Sequence, residues 1–503
     1  MKSKPLLFLM FLCFSVNAQI TDLKKISNGK LYDEVEIKDE NNNIKGYFLL
    51  FETDKIAKET YTLEYVVLDE NLTKVTKGTI TEMKYNSWLV KADIVSVKVS
   101  IFNNKLLIQF SDNSDGLEFF KRYRILDLKT NILSDRFIFN KDKLNINPLF
   151  DRTLKNFNEN QTFNIIGLNN IGLLVDKSKK DKYSDVKSLI CYDENFNQKW
   201  KTDYNLEKTQ FGYKELSLIK SNQDYIVFFN HYTKAGYKPT VSVMLFNAKT
   251  GVLNDEYFFP NQDSNAYKVV DCSINNNQVI LFGNYSKKSQ FGFISDEENI
   301  GLFKIILDAK SGKVIKETYN NWANMASKFA IDKYGYIKKE GNIFIHNMLE
   351  LSNNKIIVVC EAFSSSPIKT NNIYFLELSK NLDLVQVFEI EKFRNKFPGV
   401  SAFYSYEIKK YGFFYFLDYQ NMGDDEFLFY FNDNEKNTKN RKKSTIFGVV
   451  SYSNGKFNKQ SLDLKTEISS INAFSAKKGY ILLSENFDEK DKPTELRLEK
   501  INY

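Results

Sequence analysis

Two kinds of short polar turn recur along this chain, and no other feature restricts its fold as tightly. One template is Asp or Asn, any residue, Lys, Ser or Thr, then Gly or Asn. It reads Asp127-Leu128-Lys129-Thr130-Asn131, Asn247-Ala248-Lys249-Thr250-Gly251 and Asp308-Ala309-Lys310-Ser311-Gly312. The second reads Asp69-Glu70-Asn71-Leu72-Thr73, Asp193-Glu194-Asn195-Phe196-Asn197 and Ser379-Lys380-Asn381-Leu382-Asp383, and Ser453-Asn454-Gly455 is a looser copy. Each puts an Asx or Ser side chain where it can bond its own backbone, with Gly or Asn available for a positive φ. The turns recur about every 62 residues, a period that predicts about eight units along the chain.

An Asn- or Gly-bearing turn followed by an apolar run precedes each of them. Asn103-Asn104 comes before Leu106, Asn169-Asn170 before Ile171, Asn222-Gln223 before Tyr225, Asn277 before Val279, and Asn353-Asn354 before Ile356. Residues 43–46, Tyr411-Gly412 and Lys478-Gly479 complete eight such openings. Each unit therefore reads as four short strands. Repeated four-stranded units predict an all-β fold, a β-propeller of antiparallel blades, eight-bladed with seven as the alternative. A β-sandwich array would not need one turn pattern in register throughout, and period-2 alternation argues against a helical solenoid. A helix is expected within residues 319–331, where Trp322, Met325 and Phe329 share one face. For closure, residues 32–38 either complete the last blade or form the inner strand of the first.

Composition agrees with strands: Phe 43 and Tyr 29 against Pro 7, with 43% hydrophobic residues, because aromatic rings suit a pleated, half-buried surface. The first residues read as a leader. Lys2 and Lys4 precede an apolar run over residues 6–16, and Val16-Asn17-Ala18 offers small residues to a signal peptidase, so cleavage is expected before Gln19. The expected organisation is a signal peptide over 1–18 and a single propeller domain over 19–503, exported to the periplasm or secreted, monomeric, with no transmembrane segment. A net charge of +7 gives no support for a nucleic-acid binder. Cys191, Cys272 and Cys360 are widely scattered and read as buried free thiols, not a disulfide framework.

In its Asp–Gly turn the unit resembles those of kelch-type and quinoprotein-like propellers. It lacks the double glycine of the one and the Trp motif of the other. With its leader, the whole chain resembles the uncharacterised exported β-propeller repeat proteins of bacteria, a resemblance of architecture that brings no activity with it.

No Gly-x-Ser-x-Gly elbow, phosphate loop or dinucleotide fingerprint is present. Asp112-Asn113-Ser114-Asp115-Gly116 has a calcium-loop look, but its twelfth position is Tyr123, so a hairpin is expected. His231 and His346 are too far apart in the chain, with no ligand-spaced partner, to suggest zinc. No metal or cofactor is expected. In a propeller the first-to-second and third-to-fourth turns share one face; second-to-third loops and blade connections share the other. Long polar stretches at 140–161, 176–185, 286–299, 319–341, 420–443 and 486–493 fall in the second class, so binding is expected on that face. Candidate binding residues are His231, His346 in an inner strand facing the channel, Trp322 as a stacking platform, and the basic loop with Lys439, Arg441, Lys442 and Lys443. Lys177, Lys179, Lys180 and Lys182 form a second basic run. The function expected is a non-catalytic binding or scaffold module for a protein or glycan partner, anionic if the basic runs form a rim. The alternative is a carbohydrate-active enzyme, a glycosidase or lyase, with carboxylates at the channel mouth.

Overall fold

The computed structural model describes residues 19–53, 60–83, 94–114, 117–140, 143–147, 161–181, 184–204, 212–234, 239–288, 294–397, 405–436, 443–464, 469–487 and 494–501. Among the described residues eight antiparallel sheets form the blades, seven of them with their blade strands in sequence order, and a two-stranded hairpin, Arg136–Asn140 with Lys143–Asn147, lies between blades 2 and 3. Blades 1 to 7 occupy residues 30–83, 94–133, 161–203, 212–258, 265–321, 336–390 and 416–463. Blade 8 is composite. Its first three strands are Ser469–Ser475, Tyr480–Phe487 and Glu495–Lys500, and its outer strand is Gln19–Asp22 from the other end of the chain. Gln19 lies opposite Leu498 and Asp22 opposite Glu495. The strand Lys30–Lys38 is the inner strand of blade 1, which decides between the two placements open to it.

The ring closes because successive side chains of a strand point to opposite faces. In the second strand of blade 1, Phe48 and Leu50 pack with Val97 and Leu106 of blade 2. Tyr47, Leu49 and Phe51 pack with Leu482 and Leu496 of blade 8. Each of the other six neighbouring pairs shares a core of the same kind. The three thiols fall in different cores, Cys191 between blades 3 and 4, Cys272 between 4 and 5, and Cys360 between 5 and 6, and all are free and buried. Outer strands carry exposed lysines, among them Lys74, Lys77, Lys199, Lys201, Lys316, Lys456 and Lys459, which discourage edge-to-edge pairing.

The recurring turns share one end of the ring. In blades 2, 4 and 5 the two turn classes are bonded to each other: Leu128 N donates to Asn104 O, Ala248 N to Asp224 O and Ala309 N to Asn277 O. Positive φ falls on Asn131, Gly251 and Gly312 in the first template. In the second it falls on Leu72, Phe196 and Leu382 rather than on Asn. The Asp69 carboxylate takes the N–H groups of Asn71 and Thr73, which fixes the left-handed position between them. Leu72 and Leu382 are buried in interblade cores. Burying such a side chain contributes about 1.5–3 kcal/mol, enough to offset the roughly 1–2 kcal/mol of left-handed strain.

Several expectations need correction. Blade 7 does not open at Tyr411-Gly412, where the helix Ser405–Lys410 ends. Its inner strand is Phe416–Gly423, the turn falls at Asp424 and Asp425, and the second strand is Glu426–Lys436. The stretch 420–443 is therefore mostly strand. So is 176–185, where Asp181 pairs with Ser184 across a hairpin. Within 319–331 the helix spans Trp322–Met325 alone, because the outer strand of blade 5 runs on to Asn321. No helix among the described residues is long and apolar enough to cross a membrane.

Candidate functional site

At the turn-bearing end the central channel is bridged. The turn after the inner strand of blade 1 reaches three other blades. Lys220 Nζ of blade 4 donates to Glu40 O at 2.8 Å, and Asn169 Nδ2 of blade 3 to Glu40 Oε2 at 3.0 Å. Asn42 Nδ2 donates to Asp418 Oδ1 of blade 7 at 3.2 Å, beside the Lys38–Asp418 ion pair at 2.7 Å. A crevice of about 370 Å³ remains between blades 7, 8 and 1, but the Gln420 amide in its wall is spent on Ala476 O and Gly479 N.

Glu34 lies on the same inner strand, with one carboxylate oxygen buried and no hydrogen-bond partner. Burial, joined by repulsion from Glu36 and Asp33, pushes its carboxyl up to about 7. The folded chain then holds that proton more tightly than the unfolded chain. The associated stability is present below the ordinary glutamate pKa and is lost as pH rises through about 7. Glu34→Gln is expected to stabilise the protein at pH 8 by about 1–3 kcal/mol and to change little at pH 4. Urea midpoints at the two pH values check this, and an equal effect at both would refute it.

The opposite end is built up most around blade 6. An added strand, Tyr336–Ile337, pairs with the start of the inner strand Gly341–Glu350. Another, Asn395–Phe397, pairs with the third strand Ile368–Leu378. Gly341 has φ +107°, and a Cβ there would meet Phe363 O at 2.0 Å, so the tight entry to the inner strand requires glycine. Beside these additions lies an open cavity of about 310 Å³ lined by Glu340, Asn371, Asn372, Glu391, Lys392 and Arg394.

Two adjacent buried asparagines organise its wall. Asn371 Nδ2 donates to Glu340 O, and its Oδ1 accepts from Arg394 Nε at 2.8 Å. Arg394 Nη2 donates to Lys339 O at 2.6 Å, so the guanidinium is held by two of its three nitrogens. Asn372 Nδ2 donates to both Glu340 Oε1 at 3.0 Å and Glu389 Oε1 at 2.6 Å, while its Oδ1 accepts from Lys392 N at 3.1 Å. The Tyr374 hydroxyl is 2.6 Å from Glu340 Oε2 and 3.3 Å from Glu389 Oε1. Burial raises the Glu340 carboxyl above its ordinary value; Tyr374 works against the rise and the Glu389 charge adds to it.

Beneath the cavity lies a buried ionic group at the seam between blades 6 and 7. Glu361 accepts from the backbone N–H groups of Tyr415 and Phe416, each at 3.0 Å. Lys392 Nζ and His346 Nε2 are each 3.5 Å from one of its oxygens. The Lys392 ammonium also lies 3.9 Å over the Tyr415 ring. Burial depresses the Lys392 and His346 pKa values, and Glu361 opposes both shifts.

The residues singled out from sequence do not converge on this cavity. His346 is in the inner strand, but its ring is closed in by Phe344, Phe414 and Phe416. Trp322 is fully buried between blades 5 and 6, its indole N–H donating to Asn299 Oδ1 at 3.1 Å. His231 is half-buried in the second strand of blade 4, opposite Glu215 and Val241. Lys439, Arg441 and Lys442 lie outside the described residues. Lys443 begins the third strand of blade 7, and Lys177, Lys179 and Lys180 belong to a strand of blade 3. Among the described residues no group of His, Cys, Asp and Glu is placed to hold a metal ion. Sequence reading missed Glu340, Asn371, Asn372, Glu389 and Arg394. One signal was available: two consecutive asparagines inside an apolar third strand, where Asn is disfavoured.

Among solved structures the chain is similar to a quinohemoprotein alcohol dehydrogenase from Comamonas testosteroni. Identity is 10% and the TM-score 0.37, over 78% of this chain and 64% of that one. It is similar to the polysaccharide lyase Uly1 at 10% identity and TM-score 0.39, over 94% and 90% of the two chains. The propeller domain of the trilobed protease from Pyrococcus furiosus gives 10% and 0.35, over 87% and 98%. Likenesses this distant carry nothing about chemistry. No curated protein matches the chain. A family model does match, over residues 1–372 and 368–502, and the chain belongs to DUF6770, a family of unknown function.

Proposed function

We infer that the chain is a ligand-binding propeller that seats a hydroxyl-rich ligand, a segment of glycan, in the cavity over blade 6. The observation that carries this reading is the preformed wall of Asn371, Asn372, Glu340 and Arg394, each held by hydrogen bonds within the protein. A sugar hydroxyl both donates and accepts, and this wall offers the remaining guanidinium N–H groups of Arg394 beside carboxylate acceptors, while the Asn372 amide is spent on holding the wall together. Apolar ligands find nothing here to bury against, and with the Lys392 ammonium paired to Glu361 the Arg394 charge is outweighed by Glu340 and Glu391, which disfavours a plain polyanion. Because the wall is already ordered, binding need not immobilise it.

Export fits the same reading, since a glycan partner is met outside the cytoplasm. The expected cut before Gln19 leaves the closing strand Gln19–Asp22 with the mature chain. The test is calorimetric titration with neutral, uronate-containing and sulfated oligosaccharides. Arg394→Ala, at an exposed position, is expected to weaken binding at least about tenfold with an unchanged melting temperature. A parent protein that binds none of the three classes would overturn the reading.

A further inference from the structure

We propose that Gln19 is a modification site: once the leader is cut before it, its freed α-amine closes on its own side-chain amide, and the resulting pyroglutamate seals the strand that shuts the ring. This modification needs the cut expected after Val16-Asn17-Ala18 and is independent of the glycan reading. Gln19 is the first residue of the four-residue strand Gln19–Asp22, the whole outer strand of blade 8. It lies opposite Leu498, and the next three residues lie opposite Arg497, Leu496 and Glu495. On its far side the segment is anchored by Leu23, buried in the core between blades 8 and 1. Trimming from the near side therefore costs pairing directly, because each residue removed takes one of the four pairs with it.

The chemistry lies within one residue. Before the cut the Gln19 nitrogen belongs to the Ala18–Gln19 peptide bond, and an amide nitrogen is not a nucleophile. After the cut it is an α-amine, a group that titrates near neutral pH, so part of it is uncharged there. Its lone pair attacks Cδ of the same residue and a C–N bond forms. The side-chain nitrogen leaves as ammonia, carrying the proton that the amine gives up. Amine and amide are held together by the residue itself, which raises their effective concentration, and no co-reactant is needed. Asparagine in this place would have to close a four-membered ring and cannot follow the same route. The lactam fixes rotation about the terminal N–Cα bond, as proline does, so the strand gives up less freedom on docking. An ammonium is exchanged for a neutral N–H, the donor that a strand ordinarily presents. Chain ends fray, and a frayed end with a free amine is where trimming begins; the lactam has no such amine.

The test isolates the mature protein from its own cells, made from the full chain with its leader, and reads the N-terminal peptide by mass. That peptide is expected to begin at Gln19, to be lighter than its linear form by one ammonia, and to resist an amine reagent at its first nitrogen. A linear Gln19 with a free amine would overturn the modification and leave the cut intact. A chain that starts at another residue would overturn both. Sealing is read with Gln19→Asn, and Gln19→Ala, which also keeps a free amine, should behave alike. A broad-specificity aminopeptidase should leave the parent's mass and urea midpoint unchanged, but shorten both variants and lower their midpoints. Variants that resist as the parent does would show that pairing alone protects the strand, and the sealing role would fall.

Discussion

Replacing Glu361 by alanine is expected to destabilise the protein by about 3–5 kcal/mol, the cost of breaking a buried ion pair on one side. The carboxylate is fully buried and so is the Lys392 side chain beside it. Alanine would leave that ammonium without its counter-charge, and the N–H groups of Tyr415 and Phe416 without an acceptor. Those two groups begin the inner strand of blade 7, so the seam between blades 6 and 7 would loosen first. Denaturation midpoints and hydrogen exchange at residues 415–416 check this. The double variant Glu361→Gln, Lys392→Met should recover much of the loss, because a buried pair replaced together leaves no orphaned charge. A single variant as stable as the parent would show that the three groups are not electrostatically joined.

Trp322→Ala should cost a comparable amount, about 3–5 kcal/mol. The indole is among the largest fully buried side chains and packs with Met325, Phe329 and Tyr374. Alanine would leave a void in the core that supports the Glu340–Asn372 wall and would orphan Asn299 Oδ1. Both melting temperature and oligosaccharide binding should fall, the second as a consequence of the first. A variant that lost binding at full stability would return Trp322 to the role of a stacking platform.

The blade count was legible because tight turns make local chemical demands. Asx side chains must cap backbone N–H groups, and a left-handed residue must follow, so each turn leaves a trace in a few consecutive letters. Where a turn met its demand differently, reading failed. Asp424 and Asp425 both adopt positive φ, a demand usually met by Asn or Gly at those two positions, and blade 7 slipped as a result. Tyr411-Gly412 carried the expected letters but ends a helix. The closing strand is four residues long and polar, with no alternation to find. The candidate site was less legible still. Glu340, Asn372, Glu389 and Arg394 come from a hairpin, a third strand, an outer strand and a connection, and nothing in sequence spacing relates them. Trp322 and His346 drew attention as rare residue types, yet rarity does not distinguish a packed ring from an accessible one.

The pairing of Gln19–Asp22 with Glu495–Lys500 bears on how the protein is made. Blades 1 to 7 are each built from contiguous chain and can take shape in order as they leave the ribosome. Blade 8 cannot. Its last partner is among the first residues of the propeller to emerge and must wait for the final strand, the longest sequence separation of any pairing in the ring. Until then blade 1 exposes Tyr47, Leu49 and Phe51 to solvent, and blade 7 exposes Leu428 and Tyr430. Contacts this distant in sequence form slowly. The interval before the ring shuts is thus when this chain most needs protection from other copies of itself.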